Sequence, residues 1–66
     1  MAARLVDLYA VGDEVEIILG EQWVAGQVIE HDYPAVWVET SGGYRWFVTN
    51  GRRIRPRGGR EDEATN

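Results

Sequence analysis

The 66-residue chain contains no cysteine and no lysine, and it has one histidine, one methionine and two prolines. Without cysteine it can form no disulfide, and a single histidine provides no Cys/His cluster for a structural zinc. It also lacks an apolar run near the roughly 20 residues of a membrane-spanning helix, and Asp7 interrupts the start before a signal-like segment develops. We therefore expect a soluble, cytoplasmic protein with no cofactor, no metal and no membrane partner.

The length fits one small domain. A chain of 66 residues is expected to bury only about 60% of its unfolded surface, and it has no disulfide or metal to compensate. Such a domain is marginally stable on its own, so self-association or partner binding is a reasonable expectation.

Hydrophobic alternation predicts an all-β fold. Apolar and β-branched residues alternate with polar ones in residues 13–19, 23–30, 35–40 and 44–49, and residues 53–55 form a short fifth strand. Gly42 and Gly43 predict a hairpin between the third and fourth strands, and Gly26 predicts a bend or a close backbone approach within the second. Before the first strand, Leu5, Val6, Leu8 and Tyr9 predict one helical turn lying against the sheet.

The chain end has a different composition. Residues 57–66 contain no hydrophobic residue larger than alanine and carry both arginines and acids. We predict a disordered charged tail there, after a domain formed by residues 1–56.

The order and spacing of the strand motifs resemble Tudor and related chromo-like domains, which have an SH3-like barrel fold. The motifs are Val11-Gly12-Asp13-Glu14-Val15, Trp23-Val24-Ala25-Gly26-Gln27-Val28, Val36-Trp37-Val38-Glu39, and Val48 followed by Ile54-Arg55-Pro56. The resemblance implies a five-stranded barrel and, in the family, an aromatic cage for methylated lysine or arginine. Here Val24 replaces the usual tyrosine of the second strand, and Val38 or Glu39 stands at the third-strand aromatic, so the cage is not implied as a whole.

Aromatic residues mark the candidate binding surface. If Val36, Val38 and Val48 face the core, alternation places Trp37, Glu39, Arg45 and Phe47 together on the outward face of the third and fourth strands. The other candidate aromatics are Trp23, Tyr44 and Trp46. Exposed aromatics grouped in this way indicate an interface, which would bind a second copy of the chain, bind another partner, or pack against the N-terminal segment.

Arginines form a second candidate site. Residues 1–51 carry two arginines and eight acids, residues 52–60 carry five arginines, and residues 61–66 carry three acids. The five arginines are Arg52, Arg53, Arg55, Arg57 and Arg60. These arginines would either bind the phosphate backbone of a nucleic acid or pair with the acids of the chain itself. The first alternative is favoured by the Gly-Asp-x-Val motif at the first strand, which resembles that of KOW-type barrels.

An enzyme is the weakest alternative. Gly12-Asp13-x-Val15, Gly26-Gln27-Val28 and Val38-Glu39 also resemble the type II plasmid dihydrofolate reductases, but that family has Val-Gln-Ile-Tyr where this chain has Tyr44-Arg45-Trp46-Phe47. His31 has acidic neighbours and no nucleophile. We predict no catalytic residues, and a non-enzymatic module that binds a protein or itself.

Overall fold

The computed structural model describes residues 4–57. The elements are α1 (Leu5–Leu8), β1 (Glu14–Leu19), β2 (Gln22–Asp32), β3 (Ala35–Thr40), β4 (Arg45–Val48), a 3₁₀ turn η1 (Gly51–Arg53) and β5 (Ile54–Pro56). The all-β prediction is confirmed, and each strand ends within two residues of its predicted position. The predicted tail, apart from Arg57, lies outside the described residues.

The five strands form one antiparallel sheet in the order β4-β3-β2-β1-β5. The closed barrel expected from the resemblance is not present in residues 4–57, because β4 and β5 are the two edges and no ladder joins them. Both edges are short, with four residues in β4 and three in β5, and Pro56 has no N–H to donate to a further ladder. The supported architecture is therefore an open five-stranded sheet.

β2 connects the two halves of the sheet. Residues 22–27 of this strand pair with β1, whereas residues 26–32 pair with β3. Gly26 belongs to both ladders, opposite Val15 on one side and Thr40 on the other. Gly26 therefore lies where β2 passes from one partner strand to the next, and β3 approaches it closely there, as one of the two predicted roles of this glycine requires.

The core lies on one side of this sheet, which we call the inner face. Its buried residues are Val15, Ile17, Val28, Val36, Val38, Val48 and Ile54 from the strands, with Leu5 and Tyr9 from the N-terminal segment. As the alternation predicts, Val15 and Ile17 face inward, while Glu14 and Glu16, which alternate with them, face outward.

The N-terminal segment covers the inner face. In α1 the backbone N–H of Arg4 donates to the Asp7 carboxylate at 3.4 Å, and the Asp7 N–H donates to the Arg4 carbonyl at 2.9 Å. Leu5 and Tyr9 then enter the core, which confirms the predicted helical turn and its position. No helix within residues 4–57 has the length and apolar character needed to cross a membrane.

A register shift between Val28 and Glu30 changes the end of β2. Alternation predicts a turn at His31 and Asp32, but both residues remain in the strand. Beyond the bulge His31 is opposite Val36, and its Nε2 donates a 2.7 Å hydrogen bond to the Tyr9 carbonyl. His31 thereby joins β2 to the N-terminal segment, and burial of the Tyr9 ring raises the pKa of its phenol.

Candidate functional site at the β3–β4 edge

Trp37 and Phe47 form an aromatic pair on the outer face of β3 and β4. They are directly opposite in the ladder, and their ring centroids are 5.0 Å apart with an angle of 55° between the planes. Tilted rings at this separation attract each other through their quadrupoles. Trp37 is half-buried, whereas Phe47 keeps 50% of its surface exposed.

Glu39 and Arg45 form the neighbouring pair of the same ladder. The Nε of Arg45 lies 3.8 Å from Oε2 of Glu39, and both side chains are exposed to solvent. Such a pair contributes only a few tenths of a kcal/mol to stability. The structure thus brings together the four residues that alternation groups on one face, and we call Trp37, Glu39, Arg45 and Phe47 the outer patch.

Within residues 4–57 no strand pairs with the outer edge of β4. The Thr40 N–H donates to the Tyr44 carbonyl at 2.8 Å, so hydrogen-bonded positions recur at Trp46 and Val48 along the strand. The intervening residues, Arg45 and Phe47, then direct their N–H and C=O groups away from β3. β4 contains no proline, lysine or bulge that would block a further strand.

Tyr44 and Trp46 lie on the other side of this edge. Trp46 is on the same face as Val48, yet it keeps 40% of its surface exposed, and Tyr44 keeps 70%. Trp46 lines a groove of about 530 Å³ between the end of β1 and the β4–η1 connection, which we call the inner groove. Sequence reasoning misses this groove because it depends on how closely β1 approaches β4 in the folded sheet.

Trp23 does not belong to the outer patch. It pairs with Ile18 near the start of β2, whereas Trp37 is opposite Glu30, about 20 Å further along that strand. The Arg55 guanidinium lies 4.0 Å above the Trp23 ring, and its Nε is 2.7 Å from Glu16 Oε1. The cation on this ring is therefore the chain's own arginine rather than a ligand.

The described arginines of the predicted basic strip do not act as one surface. Arg55 pairs with Glu16, and Arg57 lies 3.5 Å from Glu14, so acids of β1 neutralise both. Arg52 and Arg53 project from η1 and have no ion pair within residues 4–57, while Arg60 lies outside the described residues. The described strip thus divides into two arginines on and just after β5 that acids of β1 neutralise, and two arginines on η1 that have no ion pair within residues 4–57.

The described residues can also be assessed for side-chain clusters that would bind a metal ion. Residues 4–57 hold no group of three or more His, Cys, Asp or Glu side chains that could bind a metal. Comparison of the chain with protein-family models, with curated proteins and with solved structures found no match.

Proposed function

We propose that this chain is a non-enzymatic protein-binding module that acts through the outer patch. The observation that carries the proposal is the Trp37–Phe47 pair, in which Phe47 is half exposed, beside a strand edge that no strand within residues 4–57 covers. Aromatic residues and arginine are the side chains most enriched at the centres of protein interfaces. A second copy of the chain is one partner that such a surface would accept.

A protein partner has more support than a nucleic acid. Two of the four described arginines in the basic strip already pair with Glu14 and Glu16. Neutralised arginines release few counterions when they meet a phosphate backbone, so they contribute little to affinity. The reductase alternative has less support still, because this chain has Tyr44-Arg45-Trp46-Phe47 in place of the Val-Gln-Ile-Tyr of that family. In the structure Arg45 and Phe47 of this segment pair with Glu39 and Trp37.

The proposal includes an SH3-like architecture. In its support, β5 returns after η1 to pair with β1, so the last strand lies beside the first. The long β2 also serves both halves of the sheet, as a strand of a small coiled barrel does. In this description the β4 edge is the opening of the barrel.

The outer patch is tested by comparing Trp37→Ala with Trp23→Ala. Both changes remove an indole from the outer face, but only Trp37→Ala removes it from the patch. Immobilised wild-type and Trp23→Ala chains should capture the same protein partners, and Trp37→Ala should lose them. Direct titration with the captured partner should show at least about a tenfold loss of affinity for Trp37→Ala, as for an interface centre.

Circular dichroism serves as the control for folding. We expect the Trp37→Ala spectrum and melting curve to stay close to those of the wild type, because Phe47 and not the core covers the outer side of the indole. Collapse of the fold would place Trp37 in the core. Equal loss of partners in the two variants would remove the special role of the outer patch.

A further inference from the structure

The inner groove combines an apolar floor with one charged group. Arg53 is the single charged residue among the ten that line it, and Phe47 of the outer patch also reaches its rim. The apolar residues of the lining are Ile17, Ile18, Leu19, Trp46, Phe47 and Val48. None of the acidic residues between positions 4 and 57 lines the groove. Its volume of about 530 Å³ lies within the range of small-ligand and side-chain pockets.

η1 carries two arginines, of which Arg53 lines this groove. The Arg52 N–H donates to Oδ1 of Asn50 at 2.9 Å, and the Arg53 N–H donates to the Asn50 carbonyl at 3.0 Å. These bonds fix the backbone of the turn from which both guanidinium groups project. Neither group has an ion pair in the described part of the chain, in contrast to Arg45, Arg55 and Arg57.

The β4 edge connects the inner groove with the outer patch. An extended peptide that paired with the free N–H and C=O groups of Arg45 and Phe47 would direct alternate side chains to opposite faces of the sheet. One set would contact Phe47 and Trp37 on the outer face. The other set would reach Trp46 and the inner groove, where the unpaired positive charge lies.

We propose that the β4 edge binds an extended acidic segment of a protein partner as an additional strand. An apolar side chain of the segment enters the inner groove against Trp46, and a carboxylate of the segment pairs with Arg53, the one cation that lines the groove. Charge complementarity selects an acidic segment, because the groove offers one cation and no acid. Backbone pairing selects a peptide over a nucleic acid. This inference rests on the proposed function, since it assigns the chemistry of the partner.

The test uses three capped octapeptides of defined sequence. The first alternates glutamate with valine and has one phenylalanine among the apolar positions. The second has lysine in place of every glutamate. The third keeps the glutamates but carries N-methyl groups on the central amides, which removes the donors needed for strand pairing. We expect the first peptide to bind, and the other two to bind at least about tenfold more weakly.

Arg53→Gln and Arg4→Gln provide a matched pair of variants. Each removes one positive charge, but Arg4 lies beside Tyr33 and not beside the groove. Arg53→Gln should weaken binding of the glutamate peptide about tenfold, in line with the loss of one charge-assisted hydrogen bond. Arg4→Gln should bind as the wild type does.

The outcomes separate this inference from the proposed function. Equal binding of the glutamate and lysine peptides, or equal behaviour of the two arginine variants, overturns the acidic partner. Displacement of the glutamate peptide by a single-stranded oligonucleotide overturns it as well. If no peptide binds while Trp37→Ala still loses its captured partners, the outer patch stands and the acidic strand is wrong. If Trp37→Ala retains those partners, the proposed function itself fails.

Discussion

Gly26 shows how one residue controls the shape of the sheet. A Cβ at this position would lie 2.7 Å from Val38 Cγ1 and 2.9 Å from the Glu39 carbonyl oxygen. Its φ is not in the left-handed region, so the requirement for glycine comes from space and not from backbone conformation. The missing side chain lets β3 approach β2 at the point where β2 leaves its ladder with β1.

Gly26→Ala should therefore destabilise the protein. The backbone of Glu39 cannot move without disturbing the β2–β3 ladder, so we expect a loss of about 1–3 kcal/mol in the free energy of unfolding. Urea denaturation monitored by tryptophan fluorescence would measure it. Gly51→Ala is the control, because a Cβ there meets Leu5 Cδ2 at an ordinary 3.7 Å. A similar denaturation midpoint for both variants would contradict the close approach at Gly26.

At the scale of elements, the two edges of the sheet differ. β5 has three residues, ends at Pro56, and uses Arg55 to bind Glu16 and Trp23. β4 has exposed aromatic residues on both faces, with Phe47 outside and Trp46 inside. Proteins protect edge strands from unwanted pairing with proline, charge or short length. β5 has such protection, whereas β4 has only its short length and one charged residue, Arg45. This difference supports the proposal that β4 is the edge that binds a partner.

Two leucines of α1 can be used to test whether this helix closes the core on the inner face of the sheet. Leu5 is buried at 6% exposure and Leu8 is 57% exposed, although both belong to the same helical turn. Leu5→Ala should lower the free energy of unfolding by about 2–5 kcal/mol, since it opens a cavity under the sheet. Leu8→Ala makes the same change in helix propensity and should shift stability by less than about 0.5 kcal/mol.

Thermal melting of the two leucine variants gives the measurement. A lower melting temperature for Leu5→Ala alone is expected, together with weaker protection of β3 amides from hydrogen exchange. Matching melting temperatures would mean that α1 does not close the core.

For the whole molecule, small size and exposed aromatics favour association. The 7.5 kDa chain leaves Tyr44, Trp46 and Phe47 exposed within four consecutive residues. Burial of such a surface stabilises a marginal domain by removing apolar area from water. Tyr44, Trp46 and Phe47 are therefore the side chains that association with a partner or a second copy would bury.

Light scattering across a dilution series should accordingly give a mass above 7.5 kDa at high concentration. Phe47→Thr should shift this equilibrium towards the monomer, because it removes an exposed aromatic while keeping a residue that favours strands. Tyr33→Thr provides the control, as Tyr33 is also exposed but lies in the β2–β3 turn. A monomer at every concentration would leave the outer patch to a different protein.

The sequence by itself determined the strands, the buried valines of β3 and the composition of the outer patch. Alternation has a period of two, and this local rule suffices to place Trp37 opposite Phe47 once the Gly42–Gly43 turn sets the register. The tertiary structure decided the features that depend on distant contacts. Within residues 4–57 these are the positions of β4 and β5 as the two edges of the sheet, the pairing of Arg55 with Glu16 and Trp23, the turn of His31 towards Tyr9, and the inner groove. Each of these features depends on residues that are far apart in the chain. For such residues the spacing along the sequence carries no information about their distance in space.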